Sequence, residues 1–423
     1  MAHIIPFRGL RYHERENLSA VTTPPYDVIS PAEQEAFYQL SEHNVIRLEL
    51  AKEYPDDTPE NNRYTRSAQT LNQWIDEQVL CYEEEPAIYL YEEIFTLTNG
   101  SVKSFKGYIE LEEFSKKIVL PHEETLSKAK TDRFHLMEAT HANFSQIYCL
   151  YMDPEKTLTR KISEISQNPA DVSFTAGDGI KQNLWIITDP DMISAIQAGF
   201  AQKQLFIADG HHRYETALNY RNKMREENPN YSKDDLFNYV MMMLVEMDDP
   251  GLVVLPTHRM VKNLEHFEEE DVLRRLSGTF AADKIAVKEN AAKEMEQALE
   301  AKQQEKAFAF YTGKDYFYLL TLTDHSAMKR HISDKSDAWL GLDVAVLHTL
   351  ILADVFGIDM ENMANQKNLV YTRYAEEAAD RVKNGEFQCS FLLNATKVRE
   401  IKDVSLANEK MPQKSTYFYP KLI

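Results

Sequence analysis

The sequence predicts an α+β protein with mixed sheets, β-hairpins and helices interleaved along the chain. Two hairpins and one strand–helix junction carry that expectation. Thr98-Asn99-Gly100 separates the apolar runs Ile88 to Leu97 and Phe105 to Leu111, and Asn-Gly between such runs favours a tight turn. Gly313 separates Phe308 to Tyr311 from Tyr316 to Leu322 in the same way. Between these hairpins, Leu205-Phe206-Ile207-Ala208 runs as a strand into Asp209-Gly210 and a helix through Met224. Tyr214, Ala217, Leu218 and Met224 share one face of that helix.

The other elements follow in chain order. Ser30-Pro31, after Pro24-Pro25-Tyr26-Asp27, predicts a helix capped by Ser30. Asn44 to Leu50 alternates and predicts a strand. Ala68, Leu71, Ile75 and Val79 recur at helical spacing between Arg63 and Leu80. Trp185 to Ile187 reads as a short strand, followed by a helix from about Met192 to Phe200. Tyr239 to Met247 and Leu252 to Leu255 flank the turn Asp248-Asp249-Pro250-Gly251. Glu268 to Lys306 is charged and expected to be largely helical, and Leu342 to Val355 is an apolar helix. Met411 to Lys421 reads as extended. Three regions with soft boundaries are expected: 1–160 with the first hairpin, 161–265 with the strand–loop–helix junction, and 266–423 as a C-terminal α+β region.

The chain has 423 residues, with 47 Lys plus Arg against 67 Asp plus Glu, a net charge of −20. Such a balance disfavours broad contact with nucleic acid or an anionic membrane, both of which need a basic face. A small basic pocket for one anionic ligand stays compatible with it. At 43% hydrophobic and 11% aromatic residues, the chain has enough apolar surface to fold. Cys81, Cys149 and Cys389 lie far apart without a CxxC pair, so neither a disulfide framework nor a thiolate metal site is expected. The first residues lack a secretory pattern and no apolar run approaches the ~20 residues of a membrane helix. A cytoplasmic protein is expected.

Absent motifs narrow the chemistry. There is no GxxxxGK[ST], no complete dinucleotide fingerprint after Gly177-Asp178-Gly179, no HExxH and no GxSxG. What remains is a set of short clusters. In Asp209-Gly210-His211-His212-Arg213, a glycine lets the chain turn from strand to helix, and the helix start carries partial positive charge. Arg213 would clamp an oxyanion in two-pronged fashion, and His211 and His212 would donate hydrogen bonds or move protons. Asp209 would cap the helix, hold a magnesium ion or accept a proton. The alternative is a tight junction with surface histidines.

A second cluster, His122-Glu123-Glu124-Thr125 followed by Lys128, Lys130, Asp132 and Arg133, is either a functional loop or a solvated helix start. Pro256-Thr257-His258-Arg259 suits an anion at a strand end, or a structural ion pair. Asp27 is a candidate ligand carboxylate or an Asx-turn, and Lys414 a candidate pocket residue or part of a surface strand.

The Gly210-His211-His212-Arg213 segment resembles the Gly-x-x-Arg phosphate loop of the superfamily of ParB-type partition proteins, sulfiredoxins and free-serine kinases. A wider resemblance rests on PPYDVIS (Pro24 to Ser30), His122 to Thr125, ADGHHRYETAL (Ala208 to Leu218), the run ending at Arg259, and MPQKSTYFYPK (Met411 to Lys421). These look like a large bacterial family of unknown function, sometimes labelled ParB-like. The superfamily resemblance implies a ParB/sulfiredoxin-like phosphate site in 161–265 that binds ATP, ADP or CTP, with Gly210 cradling phosphate and Arg213 clamping it. His211 stands where sulfiredoxins carry their cysteine, which disfavours sulfinic-acid chemistry.

These expectations combine into a nucleotide- or phosphate-ester-binding enzyme that transfers a phosphoryl group to a small hydroxylated metabolite such as free serine. Its catalytic candidates are Asp209, His211, His212 and Glu123. Gly210, His211, His212, Arg213, His258 and Arg259 would bind phosphate, with Asp27, His122, Arg133 and Lys414 toward the substrate and magnesium at Asp209. Two alternatives stand beside it: a phosphatase acting on a phosphoserine-like monoester, and a ParB-like nucleotide-binding regulator without chemistry of its own.

Overall fold

A computed structural model describes residues 2–13, 16–97, 100–113, 118–121 and 127–422. Their contacts divide them into two compact units, the first holding the described residues up to 253 together with 418–422, the second 254–417. Both are α+β.

The first unit is built on a nine-stranded mixed sheet. Its order is Val119–Leu120, Leu205–Asp209, Ile147–Tyr151, Tyr239–Glu246, Val102–Glu113, Ile88–Thr96, Lys181–Ile187 and Val172–Thr175, with Ile4–Ile5 also pairing to Val102–Glu113. The first expected hairpin pairs Ile88–Thr96 with Val102–Glu113, Tyr89 opposite Ile109 and Thr96 opposite Val102, while Thr98 and Asn99 of its turn lie outside the described residues. The strand Leu205–Asp209 is buried along Leu205 to Ala208, as a strand flanked on both sides must be. One sheet face packs Ile88, Leu90, Ile147, Cys149, Met242 and Leu244 against Leu158, Ile196 and Phe200 of covering helices. Alternation sends Tyr148, whose register partner is Asp209, to the other face.

The helix Pro31–Leu40 starts with a full capping box, Ser30 accepting from the Glu33 amide and Glu33 from the Ser30 amide. Asn44 to Leu50, expected as a strand, is instead the short helix Ile46–Glu49. The Asn44 side chain accepts from the Ile46 amide at 3.0 Å, a local bond that closes a turn in competition with a ladder.

The second unit has a six-stranded sheet whose pairs are all antiparallel. Its order is Phe280–Ala286, Tyr316–Leu322, Ala307–Tyr311, Cys389–Leu393, His258–Val261 and Leu369–Thr372. The helices Ala291–Glu300 and Ala375–Lys383 cover the Met260 face. The Gly313 hairpin forms as expected, Phe310 opposite Tyr318. The stretch Glu268 to Lys306 is not largely helical. Gly278, at φ +89°, follows the helix Glu269–Leu276, and Phe280–Ala286 becomes an edge strand before Ala291–Glu300. Most side chains of that strand are exposed, so its alternation left no apolar pattern to read. The apolar stretch from Leu342 is helical from Asp343 to Phe356, with a π-helical middle at Leu347–Ala353.

Candidate functional site

The strand Leu205–Asp209 passes through Gly210 into the 17-residue helix His211–Glu227. Gly210 adopts φ +92°, a left-handed conformation that a side chain disfavours. Space imposes the same choice: a Cβ there would sit 3.0–3.1 Å from the Arg213 guanidinium, which folds back over the glycine. Arg213 Nη1 donates to the Gln146 carbonyl at 2.6 Å, and Nη2 to Asp209 Oδ2 at 2.8 Å. The other Asp209 oxygen receives Lys421 Nζ, from the end of the chain. Two cations thus meet on one carboxylate at a helix N-terminus, where the helix dipole adds further positive potential. Burial pushes the Asp209 carboxyl up, but Lys421 and Arg213 outweigh it and hold the group down at about 2. His211 is buried beside it, and its field lowers Asp209 further.

Behind Arg213 lies a cavity of about 40 Å³, lined by Glu49, Arg133, Ser145, Arg213 and Thr216 among others. Arg133, on the helix Ser127–Thr140, is buried. It donates to the Glu49 carbonyl at 2.9 Å, pairs with Asp132 at 2.7 Å, and lies 3.9 Å from the centre of the Tyr26 ring. Glu49 accepts from the Ser145 hydroxyl at 2.8 Å. Burial raises the Glu49 carboxyl; Arg133, Ser145 and Arg213 oppose that without cancelling it, and the Asp27 charge adds to it. Tyr26 is pushed up to about 12, mainly by burial.

The structure therefore brings together Asp209, Gly210, His211, His212, Arg213 and Arg133, with Asp27 exposed on the 3₁₀ turn Tyr26–Val28 and felt electrostatically at Tyr26 and Glu49. His122 and Glu123 lie outside the described residues. Sequence reasoning missed Glu49, because its run read as a strand, and Lys421, which it carried only within the C-terminal motif. Asp209 spends its two oxygens on Arg213 and Lys421. Among the described residues, no group of three or more His, Cys, Asp or Glu stands ready for a metal ion.

His258, Arg259 and Lys414 belong to the second unit. Neighbours in one strand, His258 and Arg259 point to opposite faces of its sheet, so they do not form one clamp. Arg259 is fully buried with no acidic partner among the described residues. It donates to the carbonyls of Thr257 and Lys414 and to His348 Nε2, and faces the Tyr371 ring at 5.3 Å. Burial lowers it to about 10. His258 is lowered to about 3 by burial and by the neighbouring Arg259 charge, and is neutral at physiological pH. Lys414 contributes its main-chain oxygen, while its side chain is exposed.

Fold and site together define an α+β chain with a cationic strand–loop–helix junction. Residues 4–345 match the family model described as "Protein of unknown function (DUF1015)", and the chain belongs to that family. No match was found among curated proteins. Among solved structures, the chain is similar to a mutant of free serine kinase in complex with AMP, at 13% identity and a TM-score of 0.35, covering 71% of this chain and 84% of that one. A second mutant of that kinase in complex with ADP gives 12% identity and 0.35, over 71% and 84%. A conserved hypothetical protein from Pyrococcus furiosus gives 14% identity and 0.33, over 71% and 87%. At this distance no residue role transfers. No helix among the described residues is long and apolar enough to cross a membrane.

Proposed function

We propose that the first unit binds the phosphate of a nucleotide or phosphate ester at the Asp209–Arg213 junction and transfers a phosphoryl group to a small hydroxylated metabolite such as free serine. The observation that carries this reading is the convergence of Arg213 and Lys421 on the Asp209 carboxylate at a glycine-started helix. A guanidinium has five N–H donors, and Arg213 spends two of them on Gln146 and Asp209, so it keeps donors for a phosphate while Asp209 fixes its position and Lys421 adds positive charge. Phosphoryl transfer needs mostly such positioning and charge neutralisation. ATP, ADP and CTP all present the terminal phosphate such a junction would read.

Asp209, held at about 2, is a weak base, and in this reading it organises the cations. Glu49 takes the proton instead. Its raised carboxyl lines the cavity shared with Arg213. The acceptor hydroxyl oxygen forms the new bond to phosphorus as its proton passes to Glu49. The bond from phosphorus to the nucleotide oxygen breaks, and that oxygen leaves with the electron pair. His211 and His212 flank the transferred group. Magnesium would add charge neutralisation, but with Asp209 committed to two cations the described residues offer no cage for it, and no step depends on one.

Hydrolysis of a phosphoserine-like monoester is the second reading, favoured by the cavity beside Glu49, which has room for a water. The two separate in one experiment. Radiolabelled ATP, ADP and CTP are incubated with serine and other hydroxylated metabolites, and phosphoserine is incubated alone. Label transfer that is lost in Glu49→Gln supports the kinase. Phosphate release from phosphoserine without nucleotide assigns hydrolysis. Nucleotide binding with neither reaction leaves a regulator.

A further inference from the structure

A groove of about 1390 Å³ opens in the first unit at the same end of the sheet as the Gly210 junction. Ile147 and Tyr239 begin parallel neighbouring strands there, and the residue after Ile147 is the register partner of Asp209. The groove shares Met137, Ala142 and Asn143 with the small cavity that Arg213 and Glu49 line. One helix connects the two spaces: Arg213 and Thr216 face the cavity, while Ala217, Tyr220 and Met224 face the groove. At 1.5 Å rise per residue, Tyr220 and Met224 lie about 10 and 16 Å along the axis from Arg213.

The groove differs in chemistry from the junction. Its walls carry the rings of Phe7, Tyr220, Phe237 and Tyr239, and its charged side chains are Arg8, Glu227 and Asp235. With two carboxylates against one guanidinium, it does not attract an anion. It suits a flat, uncharged ring with polar edges. His141 Nδ1 stands 2.7 Å from the Tyr220 hydroxyl, placing a polar pair against the aromatic wall.

We propose that this groove seats the nucleobase of a nucleotide whose phosphates lie at Gly210, an inference that rests on the phosphate reading of that junction. The phosphate end is neutralised by Arg213 and Lys421, and the base stacks about one nucleoside length away, beside Tyr220. The ligand is then a nucleotide, and a bare phosphate ester fills only half of the site.

Isothermal titration of the full chain with ATP and with inorganic tripolyphosphate tests this. Base–aromatic stacking predicts that ATP binds about tenfold or more tighter than tripolyphosphate. Tyr220→Ala, and separately Tyr231→Ala at the exposed rim, narrow that ratio toward one. Tyr231→Ala keeps the test open should the buried Tyr220 variant misfold. Equal affinity for the two ligands in the wild type overturns the groove assignment while leaving the junction reading intact. Failure of both to bind overturns the junction reading, and the groove assignment falls with it.

Discussion

Replacing Lys421 by Met removes one of the two cations on Asp209 and leaves a chain end of similar shape. In the folded protein Asp209 sits at about 2 against an ordinary 3.8. At 1.36 kcal/mol per unit, that depression corresponds to about 2 kcal/mol, held jointly by Lys421 and Arg213. Both side chains of the Lys421–Asp209 pair are less than a quarter exposed, so solvent screening removes little of it. Because the folded value is depressed, the stabilisation is present above pH 3.8 and is lost as pH falls through about 2. The linkage expression leaves roughly half of it at pH 3. The variant should therefore lose about 1–2 kcal/mol at pH 7, with the gap to wild type shrinking by about half at pH 3. Urea unfolding followed by the fluorescence of Trp74 and Trp185, both buried in the first unit, reads this out. Lys421→Arg should restore most of the loss. A gap that is constant from pH 7 to pH 3, or absent throughout, refutes the ion-pair argument.

Gly210→Ala should cost about 1–2 kcal/mol from its left-handed backbone alone, and should also weaken phosphate binding because the new methyl displaces Arg213. Calorimetry with inorganic phosphate and chemical denaturation measure the two effects separately. Glu49→Gln should abolish turnover with nucleotide binding retained. Since burial raises the Glu49 carboxyl, wild-type stability falls with rising pH across its titration, and the variant should lack that contribution. Glu93 is raised to about 8 by burial, with the Asp178 charge adding to it against the hydrogen bond from the Tyr91 hydroxyl. Its contribution to stability is present below pH 4.5 and lost as pH rises through about 8, an effect of a few kcal/mol. Glu93→Gln should flatten that part of the stability profile, and an infrared band for a protonated carboxyl at pH 7 should vanish with it.

The parts of the fold legible in the sequence are the local ones. Asn99-Gly100 and Gly313 announce hairpins because a turn is settled by a few adjacent residues. The Leu205–Arg213 stretch is legible for the same reason: an apolar run, one glycine and a helical pattern are contiguous. Glu49 was not legible. Its environment is made by Arg133, 84 residues away, and Ser145, 96 away, and its own segment alternates like a strand while forming a helical turn. Lys421 reaches Asp209 across 212 residues. That His258 and Arg259 face apart was in principle readable, since adjacent strand residues alternate. The reading of that segment as an anion site at a strand end or a structural ion pair rests on residue type and takes no account of facing.

The central claim, a phosphate site at Gly210, is tested most directly by titrating ATP into the wild-type chain and into Arg213→Ala at two salt concentrations. Binding should be measurable, weaken with salt and fall at least tenfold in the variant, which loses a charge-assisted contact. Equal affinity in both proteins, or no binding by the wild type, would contradict it.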